Sequence, residues 1–195
     1  MNAAVWVVHP PRAEADALAQ ALDIPPALAR VLVNRKILTE EAAREFLFGD
    51  LGKLHDPYLM KGMDEAVSRI GEAIDRGEKI LIFGDYDVDG VLSTVMLKKA
   101  LTTLGAKVEY FIPERLTDGY GIKDEHVRIP IERGATLVIS VDCGIKSVEF
   151  VARARARGVD VIITDHHRPG DTIPDAVAVL NPVLADSGYP DAGLA

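Results

Sequence analysis

Acidic and imidazole side chains follow three apolar segments of the chain, at the points where those segments end. They are Asp85, Asp87 and Asp89 after the first segment, Asp142 after the second, and Asp165, His166 and His167 after the third. A set of carboxylates and imidazoles favours Mn²⁺ or Mg²⁺ over structural zinc. Two such ions about 3.5–4 Å apart form a recurrent device for phosphoryl chemistry. These residue types therefore predict a two-metal site that hydrolyses phosphate esters.

The three apolar segments, residues 79–84, 137–141 and 159–164, are predicted to be strands. Helix-like stretches separate them, which is typical of parallel strands in one α/β sheet. The carboxyl ends of such strands share one edge, where ligands bind. We therefore expect the side chains above to converge there, and to repel one another unless cations lie between them. The predicted fold is α/β, with a mostly parallel sheet flanked by helices.

Three acids alternate with other residues in segment 85–90, which reads DYDVDG. If this segment is extended, Asp85, Asp87 and Asp89 all point the same way, and Gly90 then frees the chain to turn into the next helix. A simpler alternative is that Asp89 only caps that helix. The alternative leaves the first two acids unexplained, so the alternation favours a cation site.

The other two strand ends carry signals of different strength. Asp142 alone could be a helix cap or a loop residue, but beside segment 85–90 it could bridge two metals. In the third motif, Asp165 is followed by His166, a ready metal ligand, and by His167, which suits proton transfer or charge stabilisation. The alternative there is a solvated polar turn. The remaining histidines are interpreted as ordinary surface or core residues: His9, His55 and His126.

The rest of the pattern divides the chain into residues 1–60, a small helical N-terminal arm, and residues 61–195, the main domain. In the arm we expect a strand at 5–8 and helices at 12–22, 25–34 and 39–48. In the main domain we expect helices at 64–77, 91–104, 123–133 and 146–157, and further strands at 107–112 and 176–180. The chain ends in an Asp-, Gly- and Pro-rich segment, so we expect the main domain to stop before its catalytic core is complete.

Composition bears on the partners and the cellular location of the protein. The net charge of −8 lowers the expectation of a nucleic-acid partner, although bound cations would reverse the field that a phosphate meets. The one cysteine, Cys143, is interpreted as a small buried residue and suits a cytoplasmic protein. No run of about 18 apolar residues occurs, so we expect no membrane partner.

At these residues the chain resembles the DHH phosphoesterase superfamily, named for the triplet at 165–167. Within it, the chain is similar to the bacterial RecJ-type single-strand-specific 5′→3′ DNA exonucleases. The similarity is carried by segment 85–90 together with four further segments. These are LHDP at 54–57, MKGMD at 60–64, IPERLTDGYG at 112–121 and VDCG at 141–144. The resemblance implies the release of mononucleotides from single-stranded DNA in repair and recombination. It also implies possible partnership with single-strand-binding protein and a helicase.

The resemblance also implies roles for individual residues. Asp85 and Asp87 would bind one metal and Asp89 and His166 the other, with Asp142 bridging them. His167 would face the scissile phosphate, with Asp165 in support, and Arg115 would grip a substrate phosphate. The family's fourth motif adds a metal-binding aspartate beyond residue 195. We therefore expect weak or no processive cleavage by residues 1–195 alone.

Three other functions are compatible with parts of the pattern. A DHH-type phosphodiesterase or pyrophosphatase for small substrates would use the same motifs. A haloacid-dehalogenase-type phosphatase would use Asp87 as a nucleophile, but such an aspartate normally follows its strand directly, and the paired histidines would then have no role. A replication scaffold that had lost its chemistry should show gaps among the acids, and the three motifs have none.

Overall fold

A computed structural model describes residues 10, 12–117, 119 and 121–194 of the chain. The chain forms two compact units, Met1–Leu54 and His55–Ala195. The division falls six residues before the boundary expected after residue 60. The strand expected at 5–8 lies outside the described residues.

The first unit contains three helices: α1 (Ala13–Leu22), α2 (Pro26–Asn34) and α3 (Glu40–Phe48). Each begins one residue after the predicted start. Proline in the first turn suits α2, and the Thr39 side chain caps α3 by accepting a hydrogen bond from Ala42 N at 3.2 Å. The core of the unit consists of small and branched apolar side chains from all three helices, including Leu18, Leu32 and Ala43.

The second unit is built on a five-stranded sheet in which all neighbouring strands are parallel. Its strands are β1 (Lys79–Phe83), β2 (Lys107–Phe111), β3 (Leu137–Val141), β4 (Asp160–Thr164) and β5 (Ala178–Leu180), in the order β2-β1-β3-β4-β5. Its helices are α4 (Met63–Asp75), α5 (Val88–Thr103), α6 (Arg128–Glu132) and α7 (Val148–Arg155). The predicted α/β class and parallel sheet are confirmed.

Apolar clusters cover both faces of this sheet, because strands with helices on both sides are buried throughout. On one face, Ile80 and Ile139 pack with Ala66 of α4 and Leu101 of α5. On the other face, the alternate strand residues pack with residues of α6 and α7: Leu81, Val138, Ile163, Ile129 and Phe150. Among the described residues, no helix has the length and apolar character needed to cross a membrane.

The four helices of the second unit differ from their predicted limits, and α4 does so by only one or two residues at each end. The helix expected at 123–133 is split into a 3₁₀ turn, Asp124–Val127, and the short α6. At the turn, His126 Nδ1 accepts a hydrogen bond from Lys123 N at 3.1 Å, which caps the start of the 3₁₀ turn. Helix α7 is shorter than the predicted range 146–157 by two residues at each end. Helix α5 begins at Val88, three residues before its predicted start, and this difference alters the functional site.

Candidate metal centre

The strand order of the sheet reverses between β1 and β3, because the chain moves outward from β1 to β2 and then returns to β3 on the other side. At such a reversal the two connections leave in opposite directions and open a crevice at the carboxyl edge. Asp85 and Asp87 follow β1, and Asp142 follows β3 directly. The predicted acids therefore lie at the place where this topology forms a ligand site.

All seven predicted side chains are brought together around this crevice, and five of them form two groups with the spacing of metal ligands. One group is Asp85, Asp87 and Asp142, and the other is Asp142, His166 and His167. Within each group the ligand atoms lie within 4.8 Å of one another. Asp142 belongs to both groups, which is the position that a bridging carboxylate requires.

Asp85 is buried, with only 1% of its surface exposed. Neither of its carboxylate oxygens accepts a hydrogen bond in the described part of the chain. Burial is the largest effect on its pKa and raises it; the nearby Tyr86 amide lowers the pKa by less than burial raises it, and the charge of Asp87 adds a smaller rise. A buried carboxylate without donors is costly, and a cation is the partner that would remove the cost.

Asp87 is the N-cap of α5, and its Oδ1 accepts a hydrogen bond from Gly90 N at 3.1 Å. This bond is the main reason that the pKa of Asp87 is lowered, so the carboxylate is held in its charged form. Because the helix begins at Val88, Asp89 lies in its first turn. The expectation that segment 85–90 is extended is therefore wrong, and so is the alternative that Asp89 is the cap.

Asp89 nevertheless remains at the site. It lines a cavity at the crevice together with Asp142, Asp165 and His166. The pairing of Asp89 with His166 on one metal, which the resemblance implies, stays a prediction.

Gly90 is needed for close packing, and the predicted reason, a free turn of the chain, is wrong. A Cβ atom at position 90 would lie 2.5 Å from the backbone oxygen and 2.6 Å from the backbone nitrogen of Asp85. The glycine thus lets the first turn of α5 rest directly on the backbone that carries Asp85.

Asp142 has the left-handed backbone conformation, with φ of 60°, which is uncommon for a residue with a side chain and occurs often at functional sites. Its Oδ1 lies 2.9 Å from Nε2 of His166, and its buried Oδ2 has no hydrogen-bond partner among the described residues. Burial, and then the neighbouring Asp87, raise its pKa to about 6. Its charged form is therefore less favourable than that of an ordinary aspartate, and a cation would offset this cost.

Asp165 positions His167. Its Oδ1 accepts hydrogen bonds from His167 N at 3.0 Å and from the ring Nδ1 at 2.8 Å, and its Oδ2 accepts from Ile145 N at 2.9 Å. The three bonds fix both the loop after β4 and the orientation of the imidazole. The tautomer with the proton on Nδ1 follows, because a carboxylate is an acceptor.

Asn181 supports the same loop, and the sequence analysis missed it. It is completely buried, its Nδ2 donates to the His167 carbonyl at 2.9 Å, and its Oδ1 accepts from Val183 N at 2.9 Å. A signal was present, since Asn181 directly follows the last strand, as the acids follow theirs.

Arg115 lies at the β2 side of the crevice. Its guanidinium carbon is 5.4 Å from the centre of the Tyr86 ring, and its charge opposes the rise in the pKa of Asp85. The side chain is exposed, so its charge faces solvent beside the acids.

Two residues that were interpreted as structural are packed in the interior. Cys143 is buried and His126 packs against Phe83, whereas His9 lies outside the described residues.

Several named proteins are similar to the chain in sequence. The RecJ single-stranded-DNA-specific exonucleases of Bacillus subtilis and Escherichia coli are 43% and 38% identical to the chain over 186 and 175 residues. Those matches cover 95% and 89% of the chain but 24% and 30% of the two relatives. The chain thus spans about a quarter to a third of the length of these relatives.

Solved structures of RecJ exonucleases are also similar to the chain. A crystal structure of exonuclease RecJ bound to manganese is 40% identical, with a TM-score of 0.63 over 68% of the chain and 34% of that protein. RecJ of Thermus thermophilus in complex with Mn²⁺ is 32% identical, with a TM-score of 0.63 over 92% of the chain and 25% of that protein. The family description "DHH family, N-terminal domain" matches residues 79–194, which is more than half of the chain and includes every predicted site residue. The chain belongs to the DHH family.

Proposed function

We propose that the chain carries the metal-dependent hydrolytic site of a single-stranded-DNA-specific exonuclease, which releases mononucleotides in the 5′→3′ direction during DNA repair and recombination. The substrate is supported by the names of the relatives described above. The direction of digestion rests on the resemblance to that branch of the family.

One observation carries the chemical part of the proposal. Three buried oxygens, both of Asp85 and Oδ2 of Asp142, have no hydrogen-bond partner among the described residues, and they face a crevice that also contains Asp87 and His166. Such oxygens fit a hard divalent cation. We assign Asp85 and Asp87 to one ion and Asp89 and His166 to a second, with Asp142 shared. Bound Mn²⁺ or Mg²⁺ would activate a water and stabilise charge on the attacked phosphate.

The chain's own residues would hold the substrate and move protons. Asp165 fixes Nδ1 of His167, so Nε2 is the nitrogen through which this side chain would act on the scissile phosphate or the leaving oxygen. Arg115 would bind a neighbouring phosphate, because a guanidinium matches two phosphate oxygens. Asn181 would act only as a positioning residue, through the backbone of His167.

The remaining assignments are part of the same proposal. Residues 61–195 would form the DHH domain and residues 1–60 a separate helical arm, which is supported by the family match at 79–194 and by the compact unit that ends at Leu54. Single-strand-binding protein and a helicase are proposed partners, and the cytoplasm is the proposed location, because the substrate lies there.

The test compares Asp142→Asn with Asp175→Asn. Asp175 is exposed and pairs with Arg155 beside the start of β4, at the opposite edge of the sheet. Cleavage of a short 5′-labelled single strand is measured with and without Mn²⁺ under single-turnover conditions. Asp142→Asn should lower the rate at least about 100-fold, since a metal site supplies several kcal/mol of charge stabilisation. Asp175→Asn should leave the rate unchanged.

Other substrates separate the proposal from its alternatives. Faster Mn²⁺-dependent hydrolysis of pyrophosphate or a cyclic dinucleotide than of the oligonucleotide would favour a small-substrate enzyme. Mn²⁺ binding without hydrolysis of any of them would favour a scaffold without chemistry. Membership of the DHH family removes the haloacid-dehalogenase-type alternative.

A further inference from the structure

Thr164 is the last residue of β4, at the carboxyl edge of the sheet, where it pairs with Val141 at the end of β3. The three residues before it are apolar and buried, whereas Thr164 carries a hydroxyl. Its Oγ1 donates a hydrogen bond to the Ser140 carbonyl oxygen at 2.7 Å, and its own carbonyl oxygen accepts one from Asp142 N at 3.0 Å. One residue of β4 therefore holds the backbone of β3 on both sides of Val141.

Asp142 has a conformation that needs such support. Its left-handed backbone, with φ of 60°, is less favourable than an extended one for a residue that has a Cβ atom. Conformations of this kind persist where the surrounding structure fixes them. Gly144, two residues later, also has a positive φ, of 112°, so the chain turns sharply as it leaves the strand. The two bonds to Thr164 lie directly before this turn and oppose its relaxation.

Thr164 also stands directly before the third motif. His166 lies two residues after it, and Nε2 of His166 is 2.9 Å from Oδ1 of Asp142. The separation of these two groups depends on how the ends of β3 and β4 are aligned, and the hydroxyl of Thr164 adds a side-chain bond to the backbone ladder at that point. Residues that orient metal ligands without touching the ion commonly change its affinity when they are replaced.

A second threonine makes matching contacts at the opposite end of the same strand pair. Thr136 directly precedes β3, and its carbonyl oxygen accepts a hydrogen bond from Asp160 N at 2.9 Å. Its Oγ1 donates to Glu78 Oε2 at 2.7 Å. Because Thr136 lies at the amino edge of the sheet, a change there removes a comparable hydroxyl bond far from the acids. It is therefore the control that separates general weakening of the sheet from an effect on the metal centre.

We propose that Thr164 is a positioning residue for the metal centre, which holds Asp142 in the left-handed conformation that brings its carboxylate to His166. This inference rests on the proposed function. Asp142 belongs to both groups of candidate ligands, so a shift of its backbone would change the geometry around both ions at once. The hydroxyl of Thr164 acts through the Ser140 carbonyl and not as a metal ligand.

Hydrogen exchange of the Asp142 amide, measured by NMR in EDTA, tests the contact without metal. Thr164→Val keeps the shape of the side chain and removes its hydroxyl, whereas Thr164→Ser keeps the hydroxyl. Thr164→Val should raise the exchange rate of this amide about fivefold, the effect of one net hydrogen bond on a local opening. Thr164→Ser should raise it less, and Thr136→Val should leave it at the wild-type rate.

Mn²⁺ affinity, measured from the EPR signal of the free ion, connects the contact to the metal centre. Thr164→Val should weaken Mn²⁺ binding about tenfold, as is usual for residues that orient metal ligands, and Thr164→Ser should restore most of the affinity. Thr136→Val should bind Mn²⁺ like the wild type. Urea unfolding shows whether the two valine variants are destabilised to a similar extent, so that a loss of affinity can be separated from a loss of stability.

Three results would overturn the proposal: an unchanged exchange rate of the Asp142 amide in Thr164→Val, an unchanged Mn²⁺ affinity in that variant, or an equal loss of affinity in Thr136→Val. Failure of the proposed function gives a different result. If the wild type binds no Mn²⁺ while the exchange rates follow the expected pattern, the support of Asp142 by Thr164 is retained and the metal-dependent hydrolytic site is rejected.

Discussion

Nε2 of His166 lies 2.9 Å from Oδ1 of Asp142, and this contact joins the end of β4 to the end of β3. The two residues are 24 positions apart in the chain and meet because their strands are neighbours in the sheet. The contact occupies one oxygen of the carboxylate that both groups of candidate metal ligands share. Its other oxygen, Oδ2, is buried and has no hydrogen-bond partner among the described residues.

The raised pKa of Asp142 predicts a specific dependence of stability on pH without metal. The folded-state pKa of about 6 lies above the ordinary value of 3.8, so the folded chain retains a proton that the unfolded chain has released. This group therefore destabilises the fold increasingly between pH 4 and 6, and the cost persists above pH 6. In EDTA, Asp142→Asn should remove about 1–3 kcal/mol of that cost at pH 7.5 and little at pH 4. Urea unfolding at both pH values measures the difference.

Asparagine is the appropriate replacement at this position because it tolerates the left-handed conformation, whereas alanine would add backbone strain. Without metal at pH 7.5 we expect Asp142→Asn to be more stable than the wild type. Added Mn²⁺ should make the wild type the more stable of the two, because it stabilises the wild type more than the variant. Its affinity for the wild type should fall about tenfold per pH unit below pH 6, since the ligand must be deprotonated. If the free energies of unfolding of the two proteins changed with pH in the same way in EDTA, the predicted cost of ionising Asp142 in the folded state would be refuted.

Asp165→Asn should destabilise the chain by about 1–3 kcal/mol, because a buried acceptor of three hydrogen bonds becomes a donor on one side. The matched variant is His167→Ala, which removes the half-buried partner of the same contact. It should cost less than about 1 kcal/mol, since the two backbone donors to Asp165 remain. Urea unfolding compares the two. An equal loss in both would mean that Asp165 serves the imidazole alone and does not support the loop.

Arg69 joins three elements at the amino edge of the sheet. Its Nη2 lies 2.6 Å from Glu78 Oε2, its Nε lies 2.6 Å from Asp160 Oδ2, and Thr136 Oγ1 donates to Glu78 at 2.7 Å. The side chains of Arg69 and Glu78 are only 12% and 16% exposed. Arg69→Ala should therefore lower the free energy of unfolding by about 3 kcal/mol, as expected when a buried pair loses one partner.

Arg153→Ala is the control for this prediction, because Arg153 is 51% exposed where it pairs with Glu149 on α7, away from Glu78, and it should change stability by less than about 1 kcal/mol. The hydrogen bond from Thr136, and then Arg69, lower the pKa of Glu78. The stability from this group is thus present above its ordinary pKa of 4.5 and is lost as the pH falls toward its folded pKa. Thermal unfolding between pH 3 and 7 should show this loss in the wild type and a weaker loss in Arg69→Ala.

Gly90→Ala should destabilise the chain by about 1–3 kcal/mol, because the new Cβ would overlap the backbone of Asp85 and displace the first turn of α5. Gly71→Ala in the middle of α4 should stabilise it by about 1 kcal/mol, because nothing lies within 4 Å of the added Cβ and alanine favours a helix. Circular dichroism melts measure both. A neutral Gly90→Ala would show that the helix start can move without affecting Asp85.

The sequence was sufficient for the class of fold and for the set of chemical groups. Apolar runs such as 137–141 can only be buried strands when helical segments separate them, and parallel strands must place their carboxyl ends at one edge. A position for Asp142 and His166 at the same edge follows from those two facts, whereas their direct contact depends on β3 and β4 being neighbours. The three helices of the arm were also predictable, since proline and Thr39 mark local starts that depend on a few neighbouring residues.

Only the tertiary structure decided how each group is used. Sequence spacing favoured an extended 85–90 segment, but the backbone of Asp85 lies against Gly90, and Asp87 caps the helix that begins at Val88. The role of Asn181 and the proposed role of Thr164 depend on elements that meet only across the sheet. Side-chain type is a property of the chain, whereas burial, pKa and the absence of a hydrogen-bond partner are properties of packed surroundings, and these distinguish a metal ligand from an ordinary acid.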